Sequence, residues 1–419
     1  MIELPAAKDP AVSVIVLLDG AVEMAERCLT ALAACDEDVP FEVIVLLNDP
    51  SPGLESFVRR STRGGRVVLC RGNAGPGVGW NLGAAVARAP RLASLHEDSE
   101  PEPGWLAPLV ETMTETGAGA VGARLFNGDG AVQNCGWVLF ADASHQPITA
   151  ASAPEVVAAT EPTPADMLSG AAMVVDREAV RTVGGWDERF HPAVFVDIDV
   201  STALWNHGKP VLSVPASRVR HQSHAFDRRG DSPLTGPRLR TVLFERNSVP
   251  FLEKWGPFVS ERAAPPDHTD PASVRPAVAA ALTLTRERAA RVAAGGWRPP
   301  RPGARAEARF SGLAEPPVAE AGDGSFRVAP AVEAALAAAE AELVRHYCLW
   351  LVRKEEMEFG RLLEAHEELQ RREREFLEQR AAGEQAAREH DEVARRLNAI
   401  LAGRTWRLRT AAMRLLGRG

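Results

Sequence analysis

The sequence predicts an α/β fold over its first 257 residues, with a mostly parallel sheet wound by helices on both faces. Three observations carry that expectation. Residues 12–18, VSVIVLL, and residues 41–47, FEVIVLL, are unbroken apolar runs rich in β-branched side chains, as in strands buried on both faces. Residues 21–35, between them, space their apolar side chains as a helix does. Residues 66–70, RVVLC, make a third strand, and residues 72–88 follow as a glycine-rich turn and an alanine-rich helix. Strand and helix alternate as in a doubly wound sheet. Such sheets bind ligands beyond the carboxyl ends of their strands.

The remaining chain divides by composition. Residues 258–330 are dominated by Pro, Ala, Arg and Gly and read as a linker with one short helix over 275–295. Residues 331–402 are rich in Ala, Glu, Arg and Leu and contain no proline, which predicts a long helix. Phe359, Leu362, Leu369 and Phe376 trace an apolar seam suited to a coiled coil, although His366 and Glu373 interrupt it. Self-association or complex formation through that helix is the corresponding expectation. Residues 403–419 mix five arginines with Trp406, Leu408, Met413, Leu415 and Leu416. That pattern suits a helix lying on an anionic membrane surface, and equally a partner-binding or capping helix.

Composition narrows the function classes. The 419 residues carry 48 basic and 56 acidic side chains, a net charge of −8. A mildly acidic chain is poorly suited to bulk nucleic-acid binding. The five cysteines, Cys28, Cys35, Cys70, Cys135 and Cys348, form no CxxC pair, which argues against structural zinc and for reduced, mostly buried thiols. The amino terminus lacks the features of a signal peptide, and no apolar run is long enough to span a bilayer. The expected location is the cytoplasm, with peripheral contact at the inner face of the membrane.

Five clusters could carry chemistry. HEDSEPEPGWL, residues 96–106, places Glu97, Asp98 and Glu100 where a sheet strand ends. Hard cations such as Mg²⁺ or Mn²⁺ take oxygen ligands of this kind, and the plain alternative is a solvated acidic loop. FVDIDVSTALWNHG, residues 195–208, alternates Asp197 and Asp199 with apolar residues, so that both would share one side. One of them could act as a general base. The alternative is an acidic helix amino terminus. LSGAAMVVDREAVRTVGGWDERF, residues 168–190, puts Trp186, Asp187 and Glu188 after two turn-forming glycines, where the two acids could meet acceptor hydroxyls. RVRHQSHAF, residues 218–226, offers His221 and His224 as metal ligands. RGNAGPGVGWNLG, residues 71–83, could let backbone approach a ligand while Asn73 and Asn81 bond to it, but it lacks the lysine and spacing of a phosphate loop.

In this order the clusters resemble family 2 glycosyltransferases of the GT-A fold, over about residues 10–256. The likeness is greatest to bacterial members that build cell-surface polysaccharides, rhamnosyltransferases among them. The resemblance implies an inverting transfer of a sugar from a nucleotide-diphosphate donor to a hydroxyl of a saccharide or lipid-linked acceptor, assisted by Mn²⁺ or Mg²⁺. It implies a metal site at His96, Asp98 and His221, donor contacts at Asn48, Asp49, Asn73, Gly75, Asn81, Glu97 and Asp98, and Asp197 as base. Trp186, Asp187, Glu188 and Asp199 would border the acceptor. Three positions depart from the family pattern. Leu47 stands where an Asp usually closes the second strand, so that Asn48 or Asp49 takes its place or the donor is read differently. His96 stands where an acid or amide usually opens the metal motif, and imidazole favours Mn²⁺ over Mg²⁺. Val196 replaces the Glu that often precedes the base. A catalytically degenerate domain acting as a scaffold through the long helix is the alternative that these departures suggest.

Overall fold

The computed structural model describes residues 1–35, 38–222, 237–267, 269–300 and 304–379. The chain forms two units, Met1–Glu340 and Ala341–Gly419. Within the first unit lies one mixed twelve-stranded sheet. At its centre, Arg91–His96, Val12–Leu18, Phe41–Asn48 and Arg66–Cys70 run parallel and in that order. Val12–Leu18 and Phe41–Asn48 are buried at every residue, which accounts for their mostly apolar sequences, and the polar Ser13 and Glu42 among them bond to each other.

Beyond Arg91–His96 the sheet reverses direction. Ala172–Asp176 pairs antiparallel with both Arg91–His96 and Ala120–Phe126. Val211–His221 then lies parallel to Ala120–Phe126, with a register shift between Val214 and Arg218. The far end of Val211–His221 pairs antiparallel with Ser99–Pro101, so that His221 stands opposite Ser99. This pairing brings two sequence-distant clusters to the same end of the sheet.

Helices cover both faces. Val22–Ala33 contributes Ala25, Cys28, Leu29 and Leu32 to one core, and Gly75–Val86 contributes Val78, Trp80 and Leu82 to the other. Gly79 and Gly83 lie on the sheet-facing side of the second helix, where a Cβ would come within 2.4 Å of Leu17 and 2.6 Å of Ile15. Small residues there let the helix pack closely on the strand beneath.

The structure revises the reading of residues 258–330. Helix Val274–Ala293 coincides with the helix expected over 275–295, but it buries Val278, Ala281 and Leu282 instead of standing free in a linker. Phe326–Val328 adds to the sheet edge parallel to Arg66–Cys70, and Val318–Glu320 pairs with it antiparallel. The first unit therefore runs to Glu340, well beyond residue 257. A few apolar residues, Val318, Val328, Val332 and Leu336, anchor this polar, proline-rich stretch, too sparse to show a period in the sequence.

The long helix spans Pro330–Gln379 and begins within the first unit. In the second unit, Tyr347 and Trp350 stack with ring centroids 6.4 Å apart. Side chains of the proposed apolar seam, His224, and residues 403–419 lie outside the described set. Among the described residues, no helix is long and apolar enough to cross a membrane.

Candidate functional site

The site lies at the carboxyl ends of the central strands. His96 is the last residue of its strand, and Glu97 and Asp98 form the turn that follows. His221 ends the long strand that pairs back across this turn. Ligand atoms of His96, Asp98 and His221 all lie within 4.8 Å of one another. His221 Nε2 is 3.3 Å from Asp98 Oδ1.

The electrostatics of the three suit a cation. Burial lowers the His96 pKa to about 4, more than the nearby Asp98 raises it, so the ring is neutral at physiological pH. Burial pushes Asp98 upward, but the hydrogen bond from His221 and the proximity of both imidazoles outweigh it, and its pKa falls below the usual carboxylate value. Two imidazoles and one carboxylate form a donor set of borderline softness, better matched to Mn²⁺ than to Mg²⁺.

Glu97 has a different task. Its Oε2 accepts hydrogen bonds from Asp19 N at 3.0 Å and Gly20 N at 2.9 Å. It thereby ties the turn after Val12–Leu18 to the metal cluster. A Cβ at residue 20 would sit 2.2 Å from Glu97 Oε1, so glycine is required there. Burial raises the Glu97 pKa to about 7. Sequence reasoning expected a donor contact, and the structure uses this carboxylate to fix backbone.

Asn48 settles part of the question raised by Leu47, which is fully buried. Asn48 is 1% exposed and acts as a hub. Its Nδ2 donates to Asp19 Oδ2 at 3.1 Å and Asn73 Oδ1 at 3.2 Å, while its Oδ1 accepts from Ala74 N at 2.6 Å. Asn48, Asn73 and Asp19 thus meet across three strand ends. Asp49 turns outward at φ 46° and is exposed. Asp19 was missed in the sequence, although an acid ending the first buried strand in LLDG was a readable signal.

Asp197 sits in the first turn of helix Val196–Asn206. Because this segment is a helix, residues two apart point roughly 200° from each other, so Asp197 and Asp199 do not share a side. Asp197 Oδ2 accepts from Gly170 N at 3.0 Å. A Cβ on Gly170 would lie 2.1 Å from the Trp80 ring and 2.8 Å from Asp197 Oδ1. Trp80 in turn stacks on His96, with centroids 6.0 Å apart and planes 16° from parallel. One indole therefore separates the cation cluster from Asp197. Burial against it raises the Asp197 pKa to about 6, and the Gly170 amide only partly offsets this. Among the described residues, no lysine or arginine forms an ion pair with Asp197.

The remaining expected contacts are corrected by their burial. Asp187 is 0% exposed and is held by Arg189 at 2.7 Å and Lys254 at 2.8 Å. Asp199 is 1% exposed, 2.9 Å from Lys254 and 2.7 Å from the Trp255 indole nitrogen that donates to it. Glu188 accepts from Asn81, from the amides of Phe310 and Ser311, and from the Ser311 hydroxyl. Trp186 packs on Trp80 with the ring planes tilted by 53° and is 1% exposed. None of the four is open to an acceptor. Asn81 bonds the Trp186 backbone in both directions, donating to its carbonyl and accepting from its amide, rather than shaping a donor pocket. Gly75, at φ 61°, lets the chain pass the Pro192 carbonyl, which a Cβ would approach to 1.9 Å. Lys254, inside a helix of mixed composition, gave no sign in the sequence of its buried role.

Uncharacterized protein y4gI of Sinorhizobium fredii is 27% identical over 165 residues, 38% of this chain and 18% of that protein. Polypeptide N-acetylgalactosaminyltransferase 11 of Drosophila melanogaster, described by its name as inactive, is 30% identical over 148 residues, 33% of this chain and 26% of that one. The chain thus spans about a quarter or less of the length of these relatives. Similar solved structures include GalNAc-T7 with UDP, GalNAc and Mn²⁺, at 16% identity and a TM-score of 0.46, covering 59% of this chain and 50% of that one. Another is the mannosyltransferase PcManGT of Pyrobaculum calidifontis with GDP-Man and Mn²⁺, at 18% identity and a TM-score of 0.41, covering 83% and 84%. The matched family segment ends before Asp197 and His221, so both stand on geometry alone. The fold is a mixed α/β sheet followed by a helical carboxyl-terminal region, and residues 13–184 match the family model Glycosyl transferase family 2.

Proposed function

We propose that this chain is an inverting, metal-assisted glycosyltransferase that moves a sugar from a nucleotide-diphosphate donor to a hydroxyl of a saccharide or lipid-linked acceptor. The observation that carries the reading is Asp197. It is a partly exposed carboxylate with a pKa raised to about 6, placed across one indole from the His96, Asp98 and His221 cluster. A general base works best when its pKa lies near the working pH.

In the proposed step, Asp197 removes the acceptor hydroxyl proton as that oxygen bonds to the anomeric carbon. The bond from that carbon to the diphosphate oxygen breaks, and its electron pair leaves with the nucleoside diphosphate. His96, Asp98 and His221 would hold a divalent cation, which when bound supplies positive charge against the leaving diphosphate. Asp19, Asn48 and Asn73 stand at the strand ends where a donor nucleoside would be read. The basic tail of residues 403–419 would keep the chain near a lipid-linked acceptor, a role that vesicle co-sedimentation of full-length and truncated protein tests.

The experiment is a nucleotide-sugar panel with UDP- and GDP-linked donors, scored for release of nucleoside diphosphate with Mn²⁺ and after exhaustive chelation. Metal-dependent release from at least one donor, lost in Asp98→Ala, is the expected result. No release from any donor, with and without added saccharide acceptors, would favour the degenerate scaffold instead.

A further inference from the structure

His221 is held by a residue that no motif marks. Gln133 lies in the short strand Val132–Asn134, which pairs antiparallel with the end of Ala120–Phe126. Its Nε2 donates to the backbone carbonyl of His221 at 3.0 Å and to Asn127 Oδ1 at 3.0 Å. Its Oε1 lies 2.8 Å from His221 Nδ1.

The donor and acceptor roles follow from the backbone. A carbonyl oxygen can only accept, so the end of the Gln133 amide that faces it must be the NH₂ group. The other end is then the oxygen, which also can only accept. His221 Nδ1 must therefore carry a proton. That leaves Nε2, 3.3 Å from Asp98 Oδ1, as the ring nitrogen that can give up its proton to Asp98 and turn its lone pair to a cation.

We propose that Gln133 is a positioning residue, which fixes both the ring orientation and the Nδ1-protonated state of His221 so that Nε2 serves as a metal ligand. This rests on the reading of His96, Asp98 and His221 as a cation site. Residues that orient a ligating histidine typically contribute 10- to 100-fold in metal affinity.

Two measurements test the proposal. In the metal-free protein, long-range ¹H–¹⁵N spectra, assigned by comparison with His221→Ala, report which ring nitrogen holds a proton. Wild type should show a protonated Nδ1 at every pH at which it is folded. Gln133→Met, close in shape but without the amide, should show a population with Nδ1 bare. A bare Nδ1 in wild type, or no change in the variant, overturns the pairing. Mn²⁺ titration supplies the second readout. Gln133→Met should bind Mn²⁺ about 10- to 100-fold more weakly than wild type, yet cost nothing further in a His221→Ala background, because it acts through His221. Wild-type affinity in Gln133→Met, or losses that multiply in the double variant, overturns the positioning role. A wild type that takes up no Mn²⁺ removes the cation site and the ligand role together, whereas the spectra still judge the hydrogen bond by itself.

Discussion

Two groups of carboxylates in this fold differ in the partners that hold them. Asp187 and Asp199 face Lys254 and Arg189, two negative charges against two positive ones, with the Trp255 indole completing the set. Among the described residues no lysine or arginine pairs with Asp98 or Asp197; imidazoles flank the first, and a backbone amide donates to the second. A buried charge with a cationic partner is satisfied and has nothing left for a ligand. Asp197, without such a partner, carries a desolvation cost that a proton can relieve, whereas the imidazoles beside Asp98 hold its charge in place without a fixed cation. The contrast supports our proposal that the first group is structural and the second chemical, although both come from acidic clusters that look alike in sequence.

The largest effect should come from breaking the paired group. Asp199→Ala leaves Lys254 short of a partner in a buried site and should destabilise the fold by about 3–5 kcal/mol, read by denaturant titration. A loss below about 1 kcal/mol would mean that the ion network is loose enough to exchange with an acceptor. Next comes Asp197→Asn, which keeps the shape and removes basicity. Turnover should fall at least about a hundredfold, with donor affinity unchanged. In wild type, turnover should also decline as pH falls below about 6, because the base is then protonated. Near-normal turnover in Asp197→Asn would move the base elsewhere.

A subtler probe is Gly170→Ala. The added methyl would press on Trp80 and Asp197 together, so turnover should drop about 10- to 100-fold from misplacement while donor binding persists. Unchanged turnover would show that Asp197 tolerates displacement. The smallest effect concerns metal choice. His96→Asp replaces a neutral nitrogen donor with an oxygen, so the preference for Mn²⁺ over Mg²⁺ in donor turnover should narrow. A wider gap would argue that His96 is not a ligand.

How much could be read in advance depended on what each feature expresses locally. The buried strands were plain, because a strand covered on both faces must be apolar throughout. His96, Asp98 and His221 were legible as chemistry-bearing types near strand ends, although only the antiparallel return of Val211–His221 onto Ser99–Pro101 brings them together. The alternation in FVDIDV misled, since two aspartates that would share a strand face point apart on a helix. The partners Lys254 and Gln133 were invisible, because a single long polar residue carries no pattern until tertiary structure supplies its neighbours. The strands at 318–328 were hidden by the proline-rich composition around them.

The most direct test of the central claim is the pH dependence of unfolding free energy for wild type and Asp197→Asn. The folded-state pKa of Asp197, about 6, lies above the ordinary aspartate value, so the folded protein holds this proton more tightly than the unfolded chain does. Wild type should therefore lose stability as pH rises from about 4 to 6, and the asparagine variant should lack that contribution. The account predicts a variant that is more stable than wild type by about 3 kcal/mol at pH 7–8, with most of the difference gone near pH 4, even as its turnover collapses. A variant less stable than wild type at pH 8 that still turned over donor would contradict the account, and would place Asp197 among the structural carboxylates.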